Sequence, residues 1–110
     1  IYTTDRTGSN GYDDSSNYTS ELGGTSAASA LAAGVAALML SVNPGLSAEE
    51  VRTILGETCD KIDTVSYCNR RIYPRQCGWN QYYGHGRINA HGAVSEALWK
   101  LNERPEARRQ

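Results

Sequence analysis

Between Glu21 and Glu49 the chain carries no charge, and the centre of that interval, Ala27-Ala28-Ser29-Ala30-Leu31-Ala32-Ala33-Gly34-Val35-Ala36-Ala37-Leu38, is built almost wholly of small apolar residues. A run of this length predicts a helix from about Ser26 to Val42, stopped by Asn43-Pro44-Gly45. Its apolar residues occupy the whole circumference, whereas a helix lying on a surface keeps one polar face. Such a helix must be enclosed by protein. The rest of the 110 residues offers two amphipathic helices and a few short strands, too little to wrap it on all sides. The sequence therefore predicts one portion of a larger domain, poorly folded or aggregation-prone by itself.

Immediately before the apolar run stand Gly23-Gly24-Thr25-Ser26, two glycines for a tight approach and two hydroxyl residues at the turn. This places Ser26 in the first turn of the helix. There the leading N–H groups have no partner inside the helix, and the macrodipole adds about +0.5 of a charge. A serine in that place has three possible roles. It, or Thr25, can cap the helix by accepting one of the orphan N–H groups. The helix start can bind an anion. Or Ser26 can act as a nucleophile whose own N–H steadies the oxyanion of a tetrahedral intermediate.

The wider pattern favours the last. Gly-Thr-Ser followed by small residues, a glycine eight positions after the serine, Val35-Ala36-Ala37-Leu38 and Asn43-Pro44-Gly45-Leu46-Ser47 together resemble the active-site serine segment of the subtilisin-like serine peptidases, the subtilases. Tyr83-Gly84-His85-Gly86-Arg87-Ile88-Asn89-Ala90 looks like that family's Y-G-x-G-x-[VI]-N-A segment ahead of its last helix, and Ile1-Tyr2-Thr3-Thr4-Asp5 like the strand before the serine loop. The resemblance runs from Ile1 to about Leu101. It implies an α/β domain, the subtilisin-like three-layer fold with a mainly parallel sheet between helices. This chain would supply the C-terminal third of it, with residues 1–102 as the domain portion and 103–110 as a charged tail that frays.

By the same resemblance the activity is that of a serine endopeptidase acting through an acyl-enzyme on Ser26. Thr25 assists at the oxyanion, and Gly24 lets the substrate backbone approach. The family's catalytic order is Asp, His, Ser, so the aspartate, the histidine and the oxyanion asparagine are expected upstream, and this chain alone is expected to be inactive. His85, inside a Gly-x-Gly turn, and His91 stand in no His-Gly-Thr-like setting. Asp5, Asp13 and Asp14 lie among Ser, Asn and Gly and suit a solvated loop. The partners implied are a protein or peptide substrate and the rest of the catalytic domain. The alternative is a non-catalytic subtilase-like domain used for binding, and a weaker one is an anion-binding module. No cofactor is encoded in the chain. Structural Ca2+ is an expectation of the family for the complete domain, although no acidic cluster here forms a convincing site.

Two positions depart from the family pattern. Ala30 stands where a proline is usual, so the first turn is free to straighten and move Ser26 relative to its base. Ala27 stands where many relatives carry methionine, which removes an oxidisable thioether beside the nucleophile and predicts resistance to peroxide.

Ser47-Ala48-Glu49-Glu50 is a capping box opening a second helix that buries Val51, Ile54 and Leu55 and ends near Gly56 to Cys59. Asn89 caps a third, with Ala90, Ala93, Val94, Ala97, Leu98 and Leu101 on one side, ending before Pro105. Ile1 to Thr4 reads as a strand and Asp5 to Glu21 as a polar loop with a turn at Ser9-Asn10-Gly11. Cys59, Cys68 and Cys77 have eight residues between successive members, which does not fit closely spaced zinc ligands. One disulfide within the set, a metal, or free thiols remain open, with Cys68 to Cys77 favoured because it closes a local loop. Arg70, Arg71 and Arg75 form a basic cluster, but the formal net charge is −1, so a solvated loop is expected and not nucleic-acid binding. The apolar helix, interrupted by Ser29, Gly34 and Ser41, reads as short for a bilayer, and no membrane partner is expected. Secretion is the family expectation.

Overall fold

In a computed structural model the backbone is described for residues 1–62, 67–69 and 76–103, and the side chains for the same residues except 68, 69, 76 and 77. The residues group into two compact units, Ile1–Ala33 and Gly34–Gln110.

In the first unit β1 (Thr3–Thr4) pairs antiparallel with β2 (Tyr18–Thr19), Thr3 opposite Thr19 and Thr4 opposite Tyr18. The Tyr2 and Tyr18 rings stack beside this ladder at 5.8 Å. The intervening loop, expected to be merely solvated, is organised by its aspartates. Asp5 accepts hydrogen bonds from the N–H groups of Arg6 at 2.8 Å and Asp13 at 2.9 Å, and Asp13 accepts from Ser15 N–H and Oγ at 2.9 and 2.7 Å. These bonds hold the Asp13 carboxyl below its ordinary pKa. A 3-10 turn, Gly8–Asn10, occupies the place of the expected Ser9-Asn10-Gly11 turn.

The apolar run forms α1 (Gly24–Val42), two residues longer at its start than the sequence suggests. By length and composition it can cross a bilayer, so the expectation that it is too short is corrected. The core helix of a soluble protein passes the same test.

In the second unit α2 (Ala48–Glu57) and α3 (Ala90–Glu103) pack together. Val35 and Met39 of α1 join Leu46, Ile54, Ala93 and Ala97 in a single core. The two alanines are completely buried, and their short side chains at i and i+4 bring helix backbones close. The inward face of α3 is narrower than expected: Ala90 is exposed and Leu98 is 46% exposed.

The capping box of α2 forms as read, Ser47 Oγ accepting from Glu50 N–H at 3.1 Å and Glu50 Oε2 from Ser47 N–H at 2.8 Å. At the end of α1 the buried Asn43 donates from Nδ2 to Ala97 O at 3.0 Å and accepts from Gly45 N–H at 3.2 Å, tying the turn to α3.

After α2 the strands β3 (Cys68–Asn69) and β4 (Gln76–Cys77) make a second antiparallel ladder. All named strand pairs among the described residues are antiparallel; the expected parallel sheet is not among them. Arg70, Arg71, Arg75 and the tail 104–110 lie outside the described residues, as do the side chains of Cys68 and Cys77 on which the expected disulfide falls.

Candidate active site

Gly24, Thr25 and Ser26 are the first three residues of α1. Gly24 has a φ of +83°, a left-handed conformation that side-chain-bearing residues adopt at a cost. This is the tight turn that lets an extended loop enter a helix directly at the serine. Among the described residues, its chain neighbours aside, nothing lies within 4 Å of where a Cβ on Gly24 would stand. Thr25 and Ser26 are exposed, and Ala27 is buried.

The helix register determines the field at this spot. The N–H groups of residues 24 to 27 lead the helix and have no partner within it. They stand at the positive end of a 19-residue dipole. The carbonyl of Ser26 is held inside the helix, where it accepts from Ser29 Oγ at 2.7 Å. Helix geometry also makes it the acceptor for Ala30 N–H. The combination gives an accessible hydroxyl beside N–H donors suited to an oxyanion.

The two histidines differ in setting. His85 brings Nδ1 to 3.1 Å from Gly78 O, its ring lies against Gly56, and its carbonyl accepts from Lys61 Nζ at 2.5 Å. Gly78, Gly56, Lys61, Arg52 and Glu57 line a cleft of about 940 Å3 with it. His91 is exposed at the second residue of α3.

The sequence did not disclose the network that secures the Gly-x-Gly segment. Asp60 and Arg87 exchange backbone hydrogen bonds at 2.8 and 2.9 Å, and Arg87 Nη2 lies 3.2 Å from Asp60 Oδ2. Asn89 Nδ2 donates to Asp60 Oδ1 at 3.1 Å while Asn89 Oδ1 caps α3 through Gly92 N–H at 2.8 Å. The bonds from Asn89 and Arg87 hold the Asp60 carboxyl below its ordinary pKa. Gly86 is obligatory here, because a Cβ would stand 2.2 Å from Asp60 O.

Calcium fits the described residues poorly. They contain no group of three or more His, Cys, Asp or Glu side chains able to hold a metal. The Asp5, Asp13 and Asp60 carboxylates already accept the internal hydrogen bonds described above.

A family profile described as the subtilase family matches residues 3–86. A protein named calcium-dependent protease from Trichormus variabilis (strain ATCC 29413 / PCC 7937) is 48% identical over 106 residues, covering 89% of this chain and 15% of the relative. One of the same name from Nostoc sp. (strain PCC 7120 / SAG 25.82 / UTEX 2576) is 47% identical with the same coverage. This chain thus spans about 15% of the length of these curated relatives. The match takes in both the serine turn and the Gly-x-Gly segment, and on that ground the chain belongs to the subtilase family, whose members have an α/β fold.

Proposed function

We propose that this chain is the serine-bearing part of a subtilisin-like endopeptidase and that Ser26 is its nucleophile. The observation that carries the reading is the exposed Ser26 hydroxyl in the first turn of α1, next to N–H groups that the helix leaves unpaired. Ser26 Oγ attacks the scissile carbonyl and passes its proton to a histidine supplied by another part of the longer protein. The Ser26 N–H, the Thr25 hydroxyl and an asparagine from elsewhere hold the oxyanion. Collapse expels the amine, leaves an ester on Ser26, and water completes the cycle. Gly24 borders the space through which the peptide backbone enters.

The substrate in this reading is protein or peptide, and the protein is secreted. The remainder of the catalytic domain brings the aspartate, histidine and asparagine, and covers α1. Calcium enters through the printed name of the relatives; residues outside this chain's described part would hold it, and no step above depends on it.

The test is labelling of the folded full-length protein with a fluorophosphonate probe, followed by peptide mapping. The expected adduct is on Ser26 and disappears in Ser26→Ala. A folded wild-type protein that takes no label at Ser26 would overturn the peptidase reading in favour of a binding domain that retains the serine alone.

A further inference from the structure

The hairpin formed by β3 and β4 places two cysteines at one level of the ladder. Cys68 is directly opposite Cys77, and Asn69 opposite Gln76. One step outward, Tyr67 O accepts from Gly78 N–H at 2.6 Å and from Trp79 N–H at 3.0 Å, and the Gly78 bond puts a ladder hydrogen bond between the residues that flank the two cysteines. Hydrogen-bonded and non-hydrogen-bonded pairs alternate along an antiparallel ladder. Cys68 and Cys77 therefore occupy a non-hydrogen-bonded position, where opposed Cα atoms come closest, about 4.5 Å. A disulfide spans Cα separations of about 4.4–6.8 Å. The pairing needs no rearrangement of the backbone.

The third cysteine has a different setting. Cys59 follows the end of α2, is half-buried and unbridged, and its thiol donates to Leu55 O at 3.1 Å. Burial pushes that thiol up in pKa, which lowers its thiolate fraction and its reactivity in exchange.

We propose that Cys68 and Cys77 form a disulfide in the full-length protein and that Cys59 stays a thiol. The oxidant is a low-molecular-weight or protein disulfide. One cysteine thiolate attacks it and expels a thiolate, leaving a mixed disulfide. The second cysteine thiolate then displaces the remaining half as a thiolate, so two cysteine thiols are oxidised and one external disulfide is reduced to two thiols, which take up the two protons the cysteines lost. The bond closes a loop that contains Arg70, Arg71 and Arg75. It also fixes the base of the hairpin at Gly78, whose carbonyl accepts from Lys61 Nζ at 3.0 Å and lies 3.1 Å from His85 Nδ1. The bond thus secures one flank of the Gly-x-Gly turn. The proposal does not depend on the role of Ser26.

The experiment equilibrates the purified full-length protein with excess glutathione disulfide, denatures it with N-ethylmaleimide and no reductant, and maps the peptides. The expected result is a labelled Cys59, with Cys68 and Cys77 linked in one cross-linked peptide and labelled only after reduction. In Cys68→Ser, Cys77 should lose its Cys68 cross-link and appear as a maleimide adduct or a glutathione mixed disulfide. Labelling of all three cysteines without reduction in the wild type, or a cross-link that includes Cys59, would overturn the proposal.

Discussion

The carbonyl of Ser26 controls how the first turn of α1 sits, and the residue that governs it is Ala30. A proline there, as in the family pattern, would withdraw the N–H that helix geometry aims at Ser26 O and press its ring on that carbonyl. Here helix geometry leaves the carbonyl its Ala30 donor, and it takes a further hydrogen bond from Ser29 Oγ at 2.7 Å. Displacement of a nucleophile by about 1 Å costs around a hundredfold in rate. Ala30→Pro in the full-length protein is therefore expected to raise the acylation rate by roughly tenfold or more, read from the burst phase with a chromogenic ester. Identical acylation and deacylation in the two proteins would show that alanine positions Ser26 as well as proline does. A second residue with a testable consequence is Asp60. Its carboxyl is held below the ordinary value of 3.8 by Asn89 and Arg87. The folded pKa is depressed, so the stabilisation is fully present above the unfolded value and is lost as pH falls through the folded one. Protection of the Gly92 amide, which Asn89 caps, measured against the intrinsic exchange rate at each pH, should be full at pH 5 and fall as pH drops below 3.8, with a smaller change in Asp60→Asn. A pH-independent ratio of protection between the two proteins would exclude the carboxylate from the cap.

At the scale of elements, the end of α1 and the start of α2 differ sharply in what they can bear. Ser47 is exposed and closes a capping box, so Ser47→Ala should cost about 1 kcal/mol. Asn43 is 2% exposed and bonded on both sides of its amide. Asn43→Asp removes the donor to Ala97 O and buries an unpaired charge, with an expected loss of roughly 3–5 kcal/mol at neutral pH. Denaturant unfolding of the full-length protein followed by exchange in α2 and α3 would order the two variants; equal costs would mean that the Asn43 site opens to water. The capping box, the Asn-Pro-Gly stop and the Asn89 cap were legible because each is a local exchange of donors and acceptors within a few residues. β2 was not, since Tyr18 and Thr19 become a strand only by pairing with Thr3 and Thr4, and two residues are too few for a period-2 pattern. The Asp60 network was hidden for a related reason: its partners lie 27 and 29 residues away. The serine turn was legible in sequence as a Gly-Gly-Thr-Ser start to an apolar helix. Which of its possible roles it plays was not, because capping, anion binding and nucleophilic attack draw on the same unpaired N–H groups.

For the molecule as a whole the outstanding feature is the apolar surface of α1. Leu31 is 55% exposed, Leu38 54% and Leu40 40%, while Val35 and Met39 of the same helix are buried in the core with α2 and α3. Enclosing a leucine is worth about 1.5–3 kcal/mol, so three partly exposed ones are a strong incentive to acquire a cover. In the proposed enzyme that cover is the remainder of the catalytic domain. The isolated 110-residue chain is then expected to self-associate, and Leu31→Gln with Leu38→Gln should shift it toward monomer in sedimentation velocity. The same pair in the full-length protein should act in the opposite sense and lower stability by several kcal/mol, because there the leucines are packed and the amides would be buried without partners. The two measurements have to disagree in sign for the reading to stand. An isolated chain that is monomeric with a cooperative thermal transition, and a full-length protein indifferent to the substitutions, would mean that α1 faces solvent in the working protein and that the serine at its start belongs to no enclosed catalytic domain.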